Sequence, residues 1–232
     1  MGRLVNGERR ITDPRPENAG KLLIFCEGAT EFNYLNYFKI YLENNLKAKY
    51  SDIVLEPIDT GGNAKHVYDY AEAFLDNVQN AAKYSLYEKH LVFDCDAPEN
   101  IQDVITLMIS SKNEYVLDYS NLMFETWLIM HFMQLEPDIP LNKREIHRFM
   151  REYLQITKYS SKVKAAPGTI GKILGTNGNQ AIRAAVENAK LIESHWQDRN
   201  IKFTENVTSM NPSVNIHILI ERLLDEIVYL CK

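Results

Sequence analysis

Glu27 closes the apolar run Leu22-Leu23-Ile24-Phe25-Cys26, and Asp94 and Asp96 close a second run, Leu91-Val92-Phe93. Carboxylates at the exits of buried strands lie where open α/β sheets bind their ligands. In extended chain the spacing Asp94-Cys95-Asp96 points both aspartates to one side and the cysteine to the other. Three carboxylates brought to one point repel unless a divalent cation joins them, and hard oxygen ligands suit Mg²⁺ or Mn²⁺. The chemistry predicted is phosphoryl transfer at a metal site. Asp-x-Asp alone also fits a turn after the strand, which Ala97-Pro98 favours.

Gly28 directly follows Glu27, as a sharp turn out of a strand requires. The helix expected from about Glu31 brings Glu31 close behind Glu27. If that helix begins at the strand end, both carboxylates face one cavity; otherwise Glu31 serves the positive helix N-terminus. Asp59-Thr60-Gly61-Gly62-Asn63 ends the next apolar run. Gly61 and Gly62 allow close backbone approach, and the following helix N-terminus with Lys65 is a candidate phosphate cradle. A simple turn is the competing interpretation. The chain has no Gly-Lys-Ser/Thr, so it carries no Walker loop.

Those residues must be positioned by regular elements. Strands are expected at 22–26, 53–58, 90–93 and 115–117. Helices between them are expected at about 31–48, 64–84 and 100–111, from apolar residues at three- and four-residue steps. Strand and helix in alternation predict an α/β fold. Its core would be an open, mostly parallel four-stranded sheet with helices on both faces. From about residue 121 the pattern turns helical, at 122–134, 143–155, 179–196 and 214–230, with a glycine-rich loop at 166–178. The expected organisation is a flexible arm over 1–20, a catalytic domain over 21–120 and a helical extension over 121–232.

The 232 residues are 45% hydrophobic with a net charge of −5, which argues against a protein that coats nucleic acid indiscriminately. No apolar run is long enough for a membrane helix, so no membrane partner is expected. The polar N-terminus lacks the core of a secretory signal. Three cysteines without a C-x-x-C spacing read as reduced thiols of a cytoplasmic protein. Between Lys143 and Lys172, eight basic residues face only Glu145 and Glu152. Lys162, Lys164 and Lys172 around the glycine-rich loop are candidate nucleic-acid contacts. A solvated helix face explains them equally well. Tyr153 and Tyr159, interleaved there, could stack on bases.

Haloacid-dehalogenase-type phosphatases also place Asp-x-Asp after an apolar strand. They carry a Thr or Val where this chain has Pro98, use the first strand rather than the third, and would leave Glu27 idle. The order strand-Glu-Gly followed by strand-Asp-x-Asp instead resembles the Toprim domain of topoisomerases, primases and overcoming-lysogenization-defect nucleases. The segment Phe25-Cys26-Glu27-Gly28-Ala29-Thr30-Glu31-Phe32-Asn33-Tyr34 is similar to the RloB branch. So is the Phe-Glu-x-Trp-Leu-x-x-His-Phe stretch from Phe124 to Phe132, and so is Asn211-Pro212-Ser213 before the last helix.

The resemblance implies that Glu27, Glu31, Asp94 and Asp96 are metal ligands or acid-base groups. Glu31 would serve a second cation about 4 Å from the first. Glu125 joins as a candidate for the cleft. His131 lies six residues on, about 120° around the same expected helix. It is either a satisfied core histidine or a phosphate contact. By the same resemblance the protein is a nuclease acting on DNA or RNA in anti-phage defence, with an ATPase partner encoded nearby and the option of a homodimer. A non-catalytic binding or regulatory subunit is the alternative, and nucleotidyl transfer, as in primases, a third.

Overall fold

Lys21–Cys26 forms β1 because its five apolar residues are all buried and have a partner strand on either side. The computed structural model describes residues 20–46, 53–96, 98–175, 178–206 and 209–230. The expected arm lies, but for Gly20, outside the described residues. From β1 the chain runs through α1 (Ala29–Leu46), β2 (Val54–Asp59), α2 (Ala64–Asp76), α3 (Val78–Lys83), β3 (Glu88–Asp94), α4 (Pro98–Ser110) and β4 (Tyr115–Asn121). It continues through α5 (Glu125–Ile129), α6 (Lys143–Leu154), α7 (Ser161–Lys164), α8 (Pro167–Leu174), α9 (Gly178–Asp198), β5 (Ser213–Val214) and α10 (Ile216–Leu230).

The sheet has five strands in the order β2-β1-β3-β4-β5. The first four are parallel, as expected for strands joined by helical crossovers. The fifth, absent from the expectation, is antiparallel and pairs Ser213 and Val214 with Asn121 and Ser120. Helix α1 packs on β1 and β2, and α10 on β4; α2 contacts β1 and β3 and packs against α4. Residues beyond 121 therefore supply a strand as well as helices. Asn215 ties that strand down: its carbonyl oxygen accepts from Tyr119 N at 2.6 Å, and its amide donates to Leu117 O at 2.6 Å.

Local chemistry accounts for the departures from expected boundaries. The helix expected over 64–84 is two helices, because the Asn77 side chain accepts from Gln79 N and Asn80 N and so caps a second start. The helix expected over 122–134 is only α5, whose continuation tightens into three-residue bonds such as Phe132 N to Ile129 O. The loop expected over 166–178 contains α8, which Pro167 can open because its first turn needs no backbone donor there.

His90 lies buried under the sheet, its ring between Asp118 (2.6 Å) and Glu88 (2.6 Å). Burial opposes its charge, but the two carboxylates override it and hold the imidazole up at about 9. Glu88, bonded to His90 and Arg222, falls to about 2. A histidine raised on folding contributes stability that is fully present below its unfolded value and is lost as pH rises through about 9. Glu88 contributes stability present above its ordinary value and lost as pH falls through about 2. The His90 contribution is on the order of 3 kcal/mol. In urea titrations His90→Gln should be destabilised below pH 7, and the gap to wild type should close by pH 9 to 10. A constant gap would contradict a charged His90.

Candidate functional site

The ladder between β1 and β3 sets the site. Cys26 pairs with Val92, and Glu27 N continues the ladder to Val92 O at 3.0 Å. One residue on, the direction of the bond reverses between side chain and backbone: Asp94 N donates to Glu27 Oε2 at 3.0 Å. Glu27 and Asp94 thus meet across neighbouring strand ends. Helix α1 begins at Ala29, so Glu31 stands in its first turn. A Cβ on Gly28 would lie 3.3 Å from Glu31 Oε2, and a side chain there would crowd the carboxylate. Glu125 opens α5, while Asp94 Oδ1 accepts from Phe124 N at 2.6 Å. The residue before Glu125 is therefore pinned to the strand that carries Asp94.

Glu27, Glu31, Asp94 and Glu125 line one cavity of about 320 Å³, together with Gly62, Thr30, Ser161 and Lys164. Glu31 and Glu125 are only 4% and 1% exposed, so their repulsion is weakly screened. Burial pushes the Glu27 carboxyl up to about 7, with the Asp96 charge adding to it. Burial raises Glu31, and Glu125 and Glu27 add repulsion. Asp94 is raised by burial and then by Glu31, Glu125 and Glu27. The countercharge is Lys164, whose ammonium lies 2.7 Å from Glu125 Oε1; Tyr159 donates to the same oxygen at 2.9 Å. The α7 turn that carries Lys164 is held by Asn33 Nδ2 on Ala165 O and Thr169 Oγ1 on Val163 O.

The remaining sequence candidates stand elsewhere. Asp96 does not face the cavity with Asp94. The β3 ladder stops at Asp94, the chain bends toward α4, and the period-two geometry ends with the strand. Its carboxylate accepts from Lys143 Nζ at 2.7 Å, on the rim and close enough to raise Glu27. Gly62, at φ +98, reaches the cavity, and a Cβ there would strike the His66 ring at 2.8 Å. Gly61 turns the chain beside it at φ +66. Lys65 is turned to Asp69 on its own helix. His131 is in the core: Tyr34 OH donates to Nε2 (2.9 Å), Nδ1 donates to Trp127 O (3.1 Å), and burial lowers the ring to about 4. Lys162 and Lys172 are exposed and off the cavity wall, whereas Lys164 lies inside it. Sequence reasoning missed Tyr159 as a partner of Glu125 and Lys143 as a partner of Asp96. Nothing in their local spacing marks either, since both meet their partners across long stretches of chain.

The family model described as RloB-like protein matches residues 22–223. The chain belongs to the RloB-like family. The match takes in all four cavity carboxylates of this RloB-like chain, as well as Lys164 and Tyr159. Searches of the curated proteins and of the solved structures find no significant match.

A donor set made only of carboxylate oxygens fits a hard divalent cation. Among the described residues no three His, Cys, Asp or Glu side chains already stand as a closed metal cage. The Lys164 ammonium holds Glu125 where a cation would compete for it. Concentrated like charge also costs stability. A carboxyl raised on folding destabilises as pH climbs above its ordinary value near 4.5. In chelator, Glu31→Gln should raise the melting temperature at pH 7 by several degrees, and the gain should vanish near pH 4.5. A melting temperature lowered at pH 7 would show that Glu31 is stabilising.

Proposed function

We propose that this protein is a Mg²⁺- or Mn²⁺-dependent nuclease that hydrolyses phosphodiester bonds in DNA or RNA. One observation carries the reading: four carboxylates share a cavity with a single lysine at the ends of β1 and β3. Such a cluster is costly as structure, and strongly perturbed acids in a cleft mark functional sites. Glu27, Glu31 and Asp94 would hold the cation, with Glu125 and the rim group Asp96 beside them. A bound cation would supply Lewis-acid activation of water and offset the charge that builds on phosphorus. Glu27 or Glu31 takes the proton of the attacking water as its oxygen bonds to phosphorus and the ester oxygen departs. Lys164 is the cationic side chain on the cavity wall and the candidate to hold a phosphate oxygen.

The RloB-like resemblance extends the proposal to cytoplasmic anti-phage defence, with an ATPase partner encoded nearby and a homodimer as an option. A second reading is a non-catalytic nucleic-acid-binding or regulatory subunit. The Lys164–Glu125 ion pair favours it, because it neutralises part of the cluster without a metal.

Purified Glu27→Gln and Asp94→Asn proteins should lose cleavage of plasmid, single-stranded DNA or total RNA by at least a hundredfold, while their circular dichroism stays native. Undiminished cleavage by both, at equal Mn²⁺, would falsify the nuclease assignment. Lys164→Gln separates the two readings. In chelator it should melt below wild type, since Glu125 loses its partner. Saturating Mn²⁺ should then raise its melting temperature more than that of wild type. If Mn²⁺ moves neither melting curve, the binding-subunit reading stands.

A further inference from the structure

Helix α6 carries charge and rings in adjacent stripes. Arg144, Arg148 and Arg151 are exposed and follow one another at steps of four and three, so they share one line along the helix. At the helical rise their attachment points are about 5–6 Å apart. Among the described residues the ion pairs of this helix are Lys143 with Asp96 and a long 4.0 Å contact of Arg148 with Glu152. Arg144 and Arg151 are thus left to solvent.

Beside that line runs a ladder of rings. Phe149 and Tyr153, one turn apart, stack with centroids at 6.4 Å and planes at 19°. Tyr153 in turn lies face to face with Phe132, at 4.5 Å and 3°. The Arg148 guanidinium covers Phe149 at 4.8 Å. The helix spends Ile146, Met150 and Leu154 on the core, whereas the three rings of the ladder are only half-buried. The chain leads from this ladder to the carboxylate cavity at both ends. Lys143 bonds Asp96 on the rim, and Tyr159, just past the helix, bonds Glu125 inside. Exposed Lys158 and Lys162 continue the positive charge along that route.

We propose that α6 is a platform for single-stranded nucleic acid, which it leads into the carboxylate cavity. The arginine line holds the phosphates and the rings receive unpaired bases. The delivery step rests on the nuclease reading; the platform does not. Phosphates alone would suit a duplex as well. The rings decide, because a paired base has both faces covered by its neighbours, while an unstacked base offers a face to an aromatic ring or a guanidinium. An acidic protein partner would use the arginines and gain little from parallel rings.

The test uses Glu27→Gln protein, whose α6 is intact, with fluorescent oligo(dT), oligo(rU) and a duplex of equal length, read by anisotropy across a salt series. Single strands should bind more tightly than the duplex. Tyr153→Leu and Phe149→Leu should each weaken single-strand binding at least about fivefold, leaving the salt slope unchanged. Arg144→Gln/Arg151→Gln, at exposed positions that spare the core, should weaken it and flatten the log–log salt slope by about 1.4. Tighter binding of duplex, or wild-type single-strand affinity in the arginine pair variant, overturns the platform. So does wild-type affinity in ring variants that melt normally. Wild-type protein that cuts while its binding ignores α6 removes the platform and leaves the nuclease. Wild-type protein that binds single strands through α6 but cuts nothing removes the nuclease and leaves the platform.

Discussion

Mutual repulsion among Glu27, Glu31, Asp94 and Glu125 is the constraint that the surrounding structure has to answer. Left alone, it would drive the β1 end, the α1 start and the α5 start apart. The structure answers with donors: Asp94 N on Glu27, Phe124 N on Asp94, and Tyr159 with Lys164 on Glu125. Each of these bonds crosses from one element to another, so the charges that would separate the elements are also what the elements hold in common. Burial does the remainder by keeping part of the cluster protonated.

The hydrophobic frame isolates this electrostatic problem from the rest of the molecule. Tyr34, Phe38, Phe124 and Trp127 form a fully buried aromatic block beneath the cavity, with Tyr34 edge-on to Phe124 and Trp127. His131 closes the block from below, and its neutral ring uses both nitrogens within it. The Phe-Glu-x-Trp-Leu-x-x-His-Phe stretch is thereby divided in its duties. Glu125 faces the cavity, Trp127 and His131 face the core, and Phe132 ends in the ring ladder of α6.

The parallel strands were legible because each is a short apolar run bounded by turn residues, and buried strands have little freedom to read otherwise. Glu27, Glu31 and Asp94 were legible because strand ends and helix starts dictate where such side chains go. Asp96 was misplaced because period-two reasoning holds only while the strand lasts, and the ladder gave out one residue too soon. Ser213–Val214 was invisible as a strand, since two residues carry no periodicity and its pairing depends on Ser120 and Asn121. Lys164 was seen as a surface charge. Its place in the cavity depends on the α7 turn, whose anchors Asn33 and Thr169 lie on other helices.

The Asn215 clamp on Tyr119 and Leu117 joins residues 96 and 98 positions apart. Until Asn215 has left the ribosome, β4 is the outermost strand of the growing sheet, with backbone groups open to any other chain. An open strand edge is a template for association. Nascent or C-terminally clipped molecules ending before Asn215 should therefore be the form that aggregates, even though every cavity carboxylate has already been synthesised.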